Sequence, residues 1–239
     1  MTRIVAAILV AIGLVVGGWF IGNGFAHRHP QRYVVVKGLA ERNVKADIAL
    51  WQIHFAATGN QLADVQAQVQ HDDAVVTAFL QQHKLGPDAI AFRDVQVTDR
   101  AARIYGSEQF KTRFVVTGIL MVRTGNVNAV AAAAQDTGAL IAQGIVLGNP
   151  EGGMDQGPNY LFDGINALKP AMIAEATKNA RSAAEQFARD SHSKLGGILS
   201  ANQGVFEILP RDKAPMLQQD KQIDKTVRVV STLNYGLVD

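Results

Sequence analysis

Residues 34–55 read VVVKGLAERNVKADIALWQIHF, and two strands run through them. Tyr33 to Lys37 is a β-branched run that reads as a short strand closed by Gly38. Asp47 to Thr58 reads as a longer one. In it Trp51, Ile53 and Phe55 fall on one face and Gln52 and His54 on the other, the period-2 pattern of a half-buried strand.

Downstream, Leu62, Val65, Val69, Val76 and Leu80 recur at helical spacing, predicting a helix from Leu62 to about Lys84. Thr58 and Gln61 resemble a capping box at its start, and Gly86-Pro87 is expected to end it. Strands are predicted over Ile90 to Thr98 and Phe110 to Arg123, with a bulge between Phe92 and Val95 where the apolar parity changes. Asn126 is placed to cap a second helix, Val127 to about Gln143. A short strand near Tyr160 to Phe162 leads to a long helix from about Lys169-Pro170 to Lys194. Its expected inner face is Ile173, Ala176, Ala180, Ala183 and Phe187, and Gly196-Gly197 is expected to end it. Strands Ile198 to Leu209 and Thr226 to Val238 close the chain. In the last one Val227, Val229, Leu233, Tyr235 and Leu237 share a face. The order, ββαββα then βαββ, predicts an α+β fold with a mainly antiparallel sheet and three helices on one face.

The N-terminus has a different character. Ile4 to Ala26 is an uncharged run holding twelve Ile, Leu, Val or Phe residues. As a helix it would be about 34 Å long, against about 30 Å of bilayer hydrocarbon. It overshoots the core of a secretory signal. Residues 1–27 therefore read as an uncleaved transmembrane anchor, 28–32 as a linker and 33–239 as the folded domain; cleavage after Ala26 is the alternative. Gly13 and Gly17, and Gly18 and Gly22, form two GxxxG spacings that would let membrane helices pack closely. Arg28, Arg32 and Lys37 follow the run, so charge alone does not set its orientation.

Composition excludes several chemistries. The 239 residues contain no cysteine, which removes disulfides, thiol catalysis and thiolate metal sites. A net charge of +2 with intermixed signs argues against nucleic acid as a partner. No phosphate-cradling loop or serine elbow is present, and no cofactor or metal is expected. The pairs His27/His29 and Glu41/Asp47 have ligand or acid–base character, yet a polar linker and a strand-entrance hydrogen bond explain them better. His54 and Asp72-Asp73 read as solvent-facing. The turn-rich segment GNPEGGMDQGPN supplies the one candidate binding loop: Gly148, Asn149, Glu151, Asp155 and Asn159.

Gly38, Ala40, Glu41, Ala46, Asp47 and Trp51, with the distal SAAEQFARDSHSKLGGI and VRVVSTLNYGL, resemble the SIMPL domain family over nearly everything after the apolar run. The resemblance implies an envelope protein of Gram-negative bacteria, without enzymatic activity, sometimes oligomeric. The expectation is a single-pass inner-membrane protein with its domain in the periplasm. It would act as a homo-oligomeric assembly or interaction module, with an unidentified protein partner as a further option. The alternative is a periplasmic peptide- or small-ligand-binding module using a groove beside the Gly148 to Asn159 loop.

Overall fold

The computed structural model describes residues 11–20, 32–102, 111–148, 157–212 and 217–239. Residues 11–20 are helical and largely exposed. Among the described residues no helix is long and apolar enough to cross a membrane. The other parts of the apolar run, residues 4–10 and 21–26, lie outside them.

The remaining elements are β1 (Tyr33–Lys45), β2 (Ile48–Gly59), α1 (Leu62–Gln82), β3 (Ile90–Asp99), β4 (Phe114–Thr124), α2 (Val127–Gln135) and α3 (Gly138–Ala142). They continue with β5 (Asn159–Leu161), α4 (Ile165–Asp190), β6 (Lys194–Gln203), β7 (Glu207–Pro210) and β8 (Asp224–Val238). This is an α+β fold of antiparallel sheets with five α-helical segments among the described residues. It falls into two compact units to which β1, α4 and β8 each contribute residues.

The larger unit comprises Ala40–Ala174 and Val205–Val229. Its sheet has the order β3-β4-β2-β5, all antiparallel. The expected alternation of β2 holds: Trp51, Ile53 and Phe55 are buried in one cluster with Val65, Val69, Val76 and Leu80 of α1, and Val130 and Leu140 from α2 and α3. Gly118 on β4 lies directly opposite Phe55. A Cβ there would overlap the Phe55 ring, so glycine makes room for the aromatic. Burying a side chain of that size contributes about 1.5–3 kcal/mol.

The smaller unit comprises Met1–Leu39, Glu175–Gly204 and Val230–Asp239. Here β8 runs between β1 and β6. Val36, Leu233 and Tyr235 pack with Ala180 and Ala184 of α4. The smallness of those alanines brings the helix axis close to the sheet.

Several expectations are corrected. Gly38 does not close a strand but sits within β1, where a Cβ would overlap the Ala176 carbonyl oxygen and the Ala180 side chain. The α4 helix begins at Ile165, so Pro170 lies inside it. Its buried stripe is Met172, Ala176, Ala180, Ala184 and Ala188, leaving Phe187 57% exposed. The second helix breaks into α2 and α3. Asp136 N donates to Ala133 O, the three-residue spacing of a tightening last turn, and the Asp136 carboxylate lies 3.1 Å from His83 Nε2. The strand expected over Ile198 to Leu209 divides into β6 and β7. Gln61 caps α1 without a side-chain hydrogen bond, so the capping box is absent. The bulge lies between Ile90 and Phe92.

Helix endings are corrected too. Lys84 (φ 61°) and His192 (φ 54°) turn left-handed at the ends of α1 and α4. Leu85 N then donates to Leu80 O, and Ser193 N to Ala188 O, the six-to-one closure of a Schellman motif. Gly86 and Gly196 come after those endings, and Gly196-Gly197 belong to β6.

Candidate functional site

The six marked residues of the 34–55 stretch are engaged in packing, hydrogen-bond or ion-pair contacts. Gly38 admits α4 onto β1, as above. Ala40 and Ala46 are buried, and Ala46 N donates to Ile223 O at 2.8 Å. Trp51 is core. Asp47 does bond backbone, but far away in sequence. Its Oδ1 accepts the Asp163 N–H at 2.8 Å and its Oδ2 the Gly164 N–H at 2.9 Å, while its own N donates to Leu161 O at 2.9 Å. Those N–H groups immediately precede α4, so Asp47 satisfies donors and places negative charge at a helix N-terminus. Glu41 lies 3.8 Å from Arg228 Nε, a partly exposed pair. Glu41 and Asp47 therefore serve separate contacts and not one acid–base site.

The candidate loop is pinned at both ends along the same edge of β2. On one side Ala56 N donates to Val146 O and Gly148 N to His54 O; on the other β5 pairs with Ile48, Ala49 and Leu50. Gly148 takes φ +110°, a conformation that L side chains rarely adopt. Asn159 pairs with Leu50, and its buried Oδ1 has no hydrogen-bond partner among the described residues. Asn149, Glu151 and Asp155 lie outside the described residues.

Beside the β5 end of this loop is an open groove of about 490 Å³, lined by Pro158, Tyr160, Leu217, Lys221, Asp212 and Asp224 among others. Lys221 Nζ reaches the carbonyl oxygens of Gly157 and Pro158, both at 3.4 Å. Asp224 is held by Arg211 at 3.2 Å and Lys45 at 3.5 Å. Burial pushes the Tyr160 phenol upward from its ordinary value. The groove thus sets the apolar Pro158 and Leu217 beside the polar Lys221, Asp212 and Asp224.

Nearby, Lys225 is fully buried and its Nζ donates to Gln219 O at 2.6 Å. Burial lowers its pKa from the ordinary lysine value, and Asp220 partly offsets this. The sequence reading missed this group, although the alternation of β8 carried back from Val227 places residue 225 on the inner face.

The other candidates do not converge. Gly13, Gly17 and Gly18 lie on the helical residues 11–20 with open space around them, and Gly22 is outside the described residues. His27 and His29 are also outside. His54 is half-buried and not solvent-facing; its Nδ1 has no partner among the described residues. Asp72, expected to face water, is buried and accepts from Gln68 Nε2 at 2.8 Å, while Asp73 pairs with Arg93. Among the described residues no group of three or more His, Cys, Asp or Glu could hold a metal. Asp99 lies below the usual carboxylate range, chiefly through the hydrogen bond from Arg113, whose Nη2 is 2.8 Å away.

The chain is thus an α+β domain of two units in which the marked motif residues serve packing and hydrogen bonding. Residues 34–232 match the family model SIMPL, described as a protein of unknown function (DUF541), and the chain belongs to that family. No curated protein matches it.

Proposed function

We propose that this protein is a membrane-anchored, extracytoplasmic module of the cell envelope that assembles with copies of itself and performs no catalysis. The observation that carries this reading is the edge strand β3. It is outermost in the order β3-β4-β2-β5, hydrogen-bonded to β4 on one side. Phe92, Val95 and Val97 stand 45%, 55% and 53% exposed along it. A ten-residue edge with exposed apolar side chains is a template for a strand from another chain unless something covers it. Lysine and proline are absent from β3; the charged Arg93 and Asp94 and the bulge between Ile90 and Phe92 interrupt its first half, which leaves Val95 and Val97 as the open apolar stretch.

The placement rests on the sequence. The apolar run from Ile4 to Ala26 supports a single-pass tether, and the family resemblance supports an inner-membrane protein with its domain in the periplasm. A reporter fused after Asp239 reads that orientation directly.

Sedimentation velocity of the full chain in detergent micelles tests the assembly. Several chains per particle are expected, falling to one on Val95→Lys. A wild-type chain that sediments as a monomer contradicts the reading. The groove of about 490 Å³ supports a second reading, a peptide- or small-ligand-binding module. Calorimetric titration with a library of short peptides tests it: binding weakened by Lys221→Met would favour it.

A further inference from the structure

In the smaller unit, helix α4 covers one face of the β1-β8-β6 sheet, where Val36, Leu233 and Tyr235 are buried. Strand alternation sends the intervening residues to the opposite face. On β1 these are Tyr33 (60% exposed), Val35 (51%), Lys37 and Leu39 (41%). On β8 they are Val230, Thr232 and Asn234, all uncharged. Leu199 of β6 is 51% exposed, and its methyls lie 3.8 and 3.9 Å from the place a Cβ on Gly236 would take. Over these rows the one charged side chain is a lysine.

We infer that this face lies on the lipid surface. The inference rests on the reading of residues 4–26 as a tether. Four observations choose lipid as the occupant. Tyr33 is separated from the end of the apolar run at Ala26 by residues 27–32 alone, six residues whose full extension is roughly 21 Å, so β1 starts within reach of the headgroups. The four β1 residues from Tyr33 to Leu39 span roughly 20 Å of strand, enough to lie along the interface. The charges beside them fit an anionic surface: Arg32, Lys37 and Lys194 are basic, and the acidic Asp239 is paired with Arg32 at 2.7 Å. Tyrosine at the point of entry is a residue type enriched at that depth.

The chain contains no cysteine, so one introduced thiol reports unambiguously. The test uses full-length protein in phosphatidylcholine–phosphatidylglycerol vesicles, carrying an environment-sensitive nitrobenzoxadiazole label at Val35→Cys. Leu39→Cys serves if the first variant does not fold, and Lys178→Cys on α4 is the control. The expected result is blue-shifted emission at position 35, losing most of its intensity when the lipid chains are brominated, with neither effect at position 178. Protein that floats with the vesicles while the position 35 label reports water overturns this inference and leaves the tether standing. A blue shift that brominated lipid does not quench also overturns it, and assigns the face to a second copy. Protein that fails to float overturns the tether and this inference together.

Discussion

The carboxylate of Asp47 and the backbone N–H of Gly164 meet at 2.9 Å across 117 residues of sequence, with the Asp163 N–H on the other oxygen. One short side chain at the entrance of β2 thereby holds the turn that launches α4. An Asp47→Ala substitution leaves two N–H groups near a helix start without their acceptor. We expect a loss of about 1–2 kcal/mol, the range of a helix cap, read as a lowered urea midpoint with unchanged slope. Asp47→Asn, which keeps one acceptor oxygen, is expected to lose less.

Gly38 reports the contact between β1 and α4. Gly38→Ala puts a methyl against the Ala176 carbonyl, which is backbone and cannot swing away. We expect a cost of about 1–3 kcal/mol, as for an overpacked core. Gly197→Ala, where a Cβ meets nothing within 4 Å, is the paired control and is expected to shift the midpoint little. Equal effects at the two positions would contradict the packing assigned to Gly38.

Lys84 and His192 hold left-handed conformations that glycine adopts without steric penalty. Lys84→Gly and His192→Gly should each stabilise the fold by up to about 1 kcal/mol, visible as a higher thermal midpoint. Destabilisation by both would show that their side chains matter more than the turns.

Lys225 gives a pH dependence with a defined sign. Its folded pKa is lowered by burial, so between that value and 10.5 the unfolded chain binds more protons than the folded one. Stability from this group therefore rises with pH through that window, and below the window the penalty is constant. Lys225→Met removes the titration. The variant's stability relative to wild type should fall from pH 7 to pH 10 in denaturant titrations, and a constant difference would contradict the buried, cationic assignment.

What the sequence displays locally, it displays well. The alternation of β2 and β8 and the Val65, Val69, Val76, Leu80 row of α1 are nearest-neighbour patterns, and each predicts the buried face correctly. The errors arise where a distant contact decides. Gly38 looks like a strand terminator until the Ala176 backbone is placed over it. Ile173 and Phe187 fit a helical face as well as Met172 and Ala188 do, but the close approach of α4 to its sheet selects the alanines. Nothing near Asp47 shows that its partners are Asp163 and Gly164. The groove had only a partial signature: the loop from Gly148 to Asn159 marks its neighbourhood, while Lys221 and Asp224 reach it from the far end of the chain.

Cysteine crosslinking in isolated membranes tests self-assembly most directly. A full-length chain with a single Val95→Cys substitution, treated with a short bis-maleimide, is predicted to yield a covalent dimer on denaturing gels. The dimer should vanish when β3 also carries Val97→Lys. A chain that stays monomeric under complete thiol modification, while a single-cysteine control on a known dimer crosslinks, would contradict the account.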